Sequence, residues 1–162
     1  MSKLIRMLLT TLLLLPGASA VAGASAHAAA CADLLKLELA DIRITRAAQV
    51  AKPVPHCKAT GLIGRNIGFS VWLPQSWNGR FVMGGAGGFV RPEDNQALRF
   101  LGDSVLLNGY ATASTDTGHH GGGQQSDWAR NDLEAIVNYG HVAMHRAVTA
   151  SKAVIAAHYE SR

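Results

Sequence analysis

The chain has 162 residues, with 15 Lys and Arg against 11 Asp and Glu and a formal charge of +4. No run of Lys and Arg with interleaved aromatics accompanies that charge, which excludes a nucleic-acid binder as the expected class. Part of the basic excess also belongs to a leader, as the N-terminus shows.

Lys3 and Arg6 form a short positive region, and Met7 to Leu15 is apolar apart from Thr10 and Thr11. Pro16 and Gly17 break the run, and small residues follow. This order predicts a secretory signal peptide over 1–26. The apolar run is shorter than the roughly 20 residues that span a bilayer. Ala-x-Ala sites end at Ala20, Ala26 and Ala28, so cleavage is expected between 20 and 28. Losing Lys3 and Arg6 leaves 13 basic side chains of the 15, a formal +2 against the 11 acids. The expected product is periplasmic or extracellular, with no membrane association after cleavage. Residues 27–162, about 130 in number, suffice for one domain with one core.

Cys31 and Cys57 are the two cysteines. In an oxidising compartment such a pair reads as a disulfide. A bond over this separation stabilises by roughly 3 kcal/mol in the chain-entropy model. Metal binding would need more ligands at short spacing, and the apolar run ends too far upstream for lipidation of Cys31.

Cys31 to Leu39 is expected to be a short helix, with Leu34, Leu35 and Leu39 on a loose apolar face. Asp41 to Thr45 alternates, with Ile42 and Ile44 on one side, and predicts a strand. Pro53 and Pro55 break the chain. Cys57 to Ile63 predicts a second strand, ended by Gly64. The clearest strand is Ile67 to Leu73, where Ile67, Phe69, Val71 and Leu73 share a face and Pro74 stops it. After the turn Trp77-Asn78-Gly79 comes a short strand, Arg80 to Met83, running into Gly84-Gly85-Ala86-Gly87-Gly88. Ser104 to Leu107 reads as the end of a helix stopped by Asn108-Gly109. Tyr110 to Ser114 predicts a strand leading into the polar loop 116–126. Asp132 to Tyr139 and His141 to Tyr159 have helical periodicity. Leu133, Ile136 and Val137 form one apolar stripe; Val148, Ile155 and Tyr159 form another, with Ala143, Ala147 and Ala156 allowing close packing. Antiparallel strands followed by strand, helix, strand and helix predict an α/β sheet. A sheet stopping on a crossover helix would leave an unpaired edge.

Three loops carry candidate chemistry. The Gly84–Gly88 loop lacks the Lys of a phosphate loop. Val90 stands where a dinucleotide fingerprint needs Gly or Ala. Two readings stay open, a flexible turn and an oxyanion loop that offers a backbone N–H. Thr115 to His120 places Asp116 and His119 at the carboxyl end of a strand, where open α/β sheets bind ligands. A metal reading lacks a clear third ligand, and a structural loop is the simpler expectation. Trp128 either stacks on an aromatic substrate or anchors the next helix, which Asn131 or Asp132 caps. His141 and His145 have metal-ligand spacing but no Glu between them, and are expected to be core or interhelix groups.

Trp72-Leu73-Pro74, Trp77-Asn78-Gly79-Arg80-Phe81 and the Gly84–Gly88 loop, in that order, resemble the tannase/feruloyl esterase family of α/β-hydrolases. Gly109 to His119, then Asn138-Tyr139-Gly140-His141 with Met144-His145-Arg146 and Ala153 to Tyr159, are similar to the family's next strand, loop and helix. The Cys31–Cys57 pair resembles its N-terminal disulfide. The resemblance implies a carboxylic-ester hydrolase that cleaves small aromatic-acid esters with a Ser-His-Asp triad. It places the oxyanion-hole glycine at Gly88, with Gly87 as the neighbouring alternative. The family serine sits in a Gly-Cys-Ser-x-Gly-Gly elbow after the helix that matches His141–Tyr159. Ser70 and Ser114 have no such setting. The expectation is therefore an incomplete α/β-hydrolase fold over 27–162: N-terminal strands, oxyanion loop and first helices, ending before the nucleophile elbow. The triad, and the lid that holds calcium in the family, are expected to lie outside this segment. No cofactor or metal is assigned within it. A non-catalytic exported binding protein for aromatic or sugar ligands, using Trp77, Trp128 and the glycine loop, is the competing expectation. A third, weaker reading is a metalloenzyme using Asp116, His119 and His145.

Overall fold

A computed structural model of the chain describes residues 30–85, 95–119 and 125–159. The expected signal peptide therefore lies outside the described residues. Among the described residues five strands form one mixed sheet in the spatial order β1-β2-β3-β5-β4. They are β1 (Ile42–Val50), β2 (His56–Ile63), β3 (Ile67–Pro74), β4 (Phe81–Met83) and β5 (Ala111–Thr115). The first three form an antiparallel meander, and β3 pairs antiparallel with β5. Only β4 and β5 run parallel. The connection between them contains α1 (Gln96–Leu101) and α2 (Ser104–Leu107). The architecture is a mixed sheet with helices, compatible with an α/β fold.

Strand β1 is longer than the expected Asp41–Thr45. Its register shifts between Ile44 and Arg46, which pair with Gly61 and Thr60. The bulge leaves Thr45 as an extra residue and breaks the period-two pattern. A strict alternation template therefore stops at the bulge while the strand continues. Strand β3 is buried along its whole length on both faces, as a central strand should be.

One face of the sheet packs on α4 (Ala143–Tyr159). Ala143, Ala147 and Ala150 are buried and bring that helix close to Phe69, Val71, Ala111 and Ala113 in one core. Val154 and Ile155 extend the contact. Burying a side chain the size of Phe69 stabilises by about 2–3 kcal/mol. Cys31 and Cys57 are joined, with Cα atoms 5.5 Å apart, and pin the N-terminal segment to β2.

Several local expectations change. The first segment is a 3-10 turn, Cys31–Lys36, rather than a helix reaching Leu39. Leu34 is buried and Leu35 is half exposed, because neighbouring residues on a three-residue turn point about a third of a circle apart. Ser104–Leu107 is a separate helix, since Gly102 at φ +64° ends α1. The two late helical stretches form one path. Helix α3 (Leu133–Val137) passes through a π-helical turn, Asn138–Val142, into α4. The stripe Leu133, Ile136 and Val137 exists, but it is exposed, at 74%, 47% and 45%.

Candidate functional site

Parallel pairing sets the carboxyl ends of β4 and β5 side by side, with Met83 opposite Ala113. Both candidate loops leave the sheet here, the position where open α/β sheets bind ligands. From β4 the chain enters Gly84 and Gly85; Gly87 and Gly88 lie outside the described residues. Gly84 is a glycine for packing. A Cβ there would stand 2.7 Å from the Ala97 backbone nitrogen, at the start of α1.

Asn95 re-enters from that loop and is 5% exposed. Its Oδ1 accepts the Leu98 N–H at 3.1 Å and caps α1. Its Nδ2 donates to Thr112 Oγ1 at 3.1 Å and fastens the cap to β5. Asn95 is absent from the residues expected at the site. An Asn just before a helical run was the available signal.

The loop after β5 is built around Asp116. One carboxylate oxygen, Oδ1, accepts backbone N–H groups from Gly68 and from Gly118, each at 2.8 Å. Thr115 Oγ1 donates to the Gly68 carbonyl at 2.7 Å, and Thr117 N–H donates back to Thr115 Oγ1 at 3.1 Å. Thr117 and Gly118 both have positive φ, +58° and +81°. The Asp116 side chain stabilises this left-handed pair by satisfying the N–H that the turn points inward. Asn66 closes the loop from the other side, donating to the Gly118 carbonyl at 3.1 Å.

His119 is buried and meets Trp128 edge-on at 5.2 Å between ring centroids. Trp128 in turn packs on Tyr139 at 4.9 Å. The structural reading of Asp116 and His119 fits this arrangement, as does the anchoring reading of Trp128. Asp132 is the α3 cap: its Oδ1 accepts the Ala135 N–H at 2.9 Å. That bond, then the Arg65 guanidinium, holds its carboxyl below the ordinary range.

His141 and His145 are exposed rather than core or interhelix groups. Their four-residue spacing does place them on neighbouring turns, but on the outward side of the helix. The buried histidine of α4 is His158, and burial lowers its basicity. Among the described residues no group of three or more His, Cys, Asp or Glu comes close enough to hold a metal ion. Trp77 stands at the opposite end of the parallel strands. It stacks on Tyr159 at 4.3 Å and donates from Nε1 to the Arg80 carbonyl at 2.9 Å. Tyr159 donates its hydroxyl to the Pro74 carbonyl at 2.6 Å. Burial pushes that phenol above its usual range, so it remains a donor.

Residues 51–162, more than half of the chain, match the family model described as tannase and feruloyl esterase. The chain belongs to this family. An uncharacterized esterase of Xanthomonas campestris is 31% identical over 95% of the chain, which spans 29% of that protein. An uncharacterized esterase of Agrobacterium fabrum is 29% identical over 65% of the chain and 21% of its own length. Feruloyl esterase B of Aspergillus niger is 25% identical over 83% of the chain and 25% of its own length. The chain thus spans less than a third of each of these relatives. No solved structure matches it significantly.

Proposed function

We propose that residues 27–162 form the N-terminal part of the catalytic domain of an exported carboxylic-ester hydrolase acting on aromatic-acid esters. The reading is supported above all by one placement. In a segment matching the tannase and feruloyl esterase family, the glycine loop after β4 and the Asp116 loop after β5 leave adjacent parallel strands at the same end. In this reading a serine activated by histidine, and oriented by an aspartate, attacks the ester carbonyl. The Gly88 N–H, or failing that the Gly87 N–H, holds the developing oxyanion. The Asp116 network keeps the neighbouring loop rigid. No residue of these 162 is assigned to the triad or to the calcium-binding lid of the family. We therefore propose that the 162-residue chain by itself has no ester turnover.

The competing binding-protein reading needs free aromatic platforms. Trp77 and Trp128 are instead engaged with Tyr159, His119 and Tyr139. The metalloenzyme reading needs His145 beside Asp116 and His119, yet His145 is exposed and the other two are buried.

The test is the intact mass of the product made from the native locus, followed by assay on a simple ester of an aromatic acid. A product well above 17.1 kDa with turnover blocked by a serine-directed inhibitor supports the reading. In that product Gly88→Pro removes the proposed donor, and kcat should fall by about 10²–10³. Inhibitor-sensitive turnover by the pure 162-residue chain would overturn the proposed inactivity.

A further inference from the structure

The face of β1 and β2 turned away from α4 carries an unbalanced set of cations. Cross-strand pairing fixes its members. Ile44, Ala59 and Ile63 join the core under α4, so the alternate positions Arg43, Arg46, Ala48, Lys58, Thr60 and Leu62 face the other way. Strands β1, β2 and β3 contain no Asp or Glu. Three other arginines are matched, Arg65 to Asp132 and Glu134, Arg130 to Asp127, and Arg146 to Asp41, whereas Arg80 and Arg99 stand singly elsewhere among the described residues. Arg43, Arg46 and Lys58 make no ion pair among the described residues. Asp41, the acid nearest in sequence, is already held by Arg146.

Between two of these cations lies a concavity of about 180 Å³, lined by Arg46, Ala48, Val50, Lys58 and Thr60. Ala48 and Thr60 are small enough to leave the hollow. Lys58 is set in place by lying over the Trp72 ring, 4.7 Å from its centroid. The hollow is smaller than the roughly 300 Å³ at which pockets for drug-sized ligands begin, and so fits one charged group or ring at a time.

We propose that this face binds a linear acidic polysaccharide, with successive carboxylates lying along Arg43, Arg46 and Lys58. Charge complementarity selects a polyanion. Single-stranded nucleic acid would use open aromatic faces for stacking, but Trp72 is 6% exposed and covered by Lys58. A membrane surface would need a projecting apolar side, whereas the apolar members here, Val50 and Leu62, are half buried. Arg43 and Arg46 follow one another along β1, and Lys58 continues the row diagonally on β2, a spacing that suits an extended chain. The site is separate from the β4–β5 loops and does not depend on the ester-hydrolase reading.

The test titrates the full chain with polygalacturonate, with neutral galactan, duplex DNA and phosphatidylglycerol vesicles as comparisons. Binding to polygalacturonate that weakens with added salt is expected, with little binding to galactan. Arg43→Gln, Arg46→Gln and Lys58→Gln should each lower affinity about fivefold, without loss of folded structure by circular dichroism. Polygalacturonate should also shield the Lys58 amine of the unmodified chain from acetylation, read by mass spectrometry, a measure that needs no variant. Unchanged affinity in the triple variant overturns the proposal, as does equal binding to galactan or tighter binding to DNA or vesicles. Aggregation of the triple variant, with Lys58 of the unmodified chain left unprotected, also overturns it. The cations would then serve to guard the exposed edge of β1.

Discussion

The Asp116 carboxylate accepts the Gly68 backbone N–H at 2.8 Å, joining the loop after β5 to the start of β3 across 48 residues of sequence. The same oxygen holds Gly118. Asp116→Ala leaves two inward-facing donors unmatched, and should cost about 1–3 kcal/mol of stability. Asp116→Asn retains an oxygen acceptor and should cost less. Urea unfolding of the three proteins measures the order. Equal stability of the Ala variant would remove Asp116 as the organiser of the loop.

Gly109 and Gly79 both have positive φ, +75° and +79°, but different surroundings. A Cβ on Gly79 meets nothing, while one on Gly109 runs into the Ser76 carbonyl oxygen. Gly79→Ala should cost about 1–2 kcal/mol from backbone conformation alone. Gly109→Ala should cost more, because the turn after Pro74 must also move. Thermal unfolding of the pair separates the strain from the clash.

His158 is 4% exposed, and its Nδ1 has no partner among the described residues. Burial lowers its pKa from the ordinary 6.5. The unfolded chain therefore takes up the proton at a higher pH than the folded one. The stability contribution is complete above pH 6.5 and is lost as pH falls from there toward the lowered folded value. Urea midpoints across that range should fall with pH in the unmodified chain, and fall less steeply in His158→Phe. Parallel curves would place the titrating group elsewhere.

Reduction of Cys31–Cys57, or Cys31→Ser with Cys57→Ser, should lower stability by roughly 3 kcal/mol. Both sulfurs lie in the core, at 4% and 1% residue exposure, so the double serine variant adds the cost of placing hydroxyls there. Comparing reduced chain with double variant by denaturant unfolding isolates that second part.

Much of the fold was legible because strands leave a period-two trace. Ile67 to Leu73 was readable with nearly its final limits, as was the short strand before the glycine loop. The period-two pattern ends at Thr45 because a bulge removes periodicity without removing the strand. On the site side, composition and order single out the Gly84–Gly88 and Asp116 loops, of which the structure places Gly84, Gly85 and Asp116 at the same end of β4 and β5. Asn95 was missed, since its meaning comes from Thr112, 17 residues away.

By itself the sequence determined where apolar sides, turns, the cysteine pair and the family motifs lie, because these depend on neighbours along the chain. It did not determine what lies against each side. Leu133, Ile136 and Val137 form a good helical stripe, yet they face outward. His141 and His145 share a helix with a buried histidine and remain exposed. The tertiary structure also decided that β4 lies outside β5, that one carboxylate holds both Gly68 and Gly118, and that Arg43, Arg46 and Lys58 share the sheet face turned away from α4. Those outcomes rest on contacts between distant segments. Local periodicity shows that an element has a side to bury, while only packing supplies the partner.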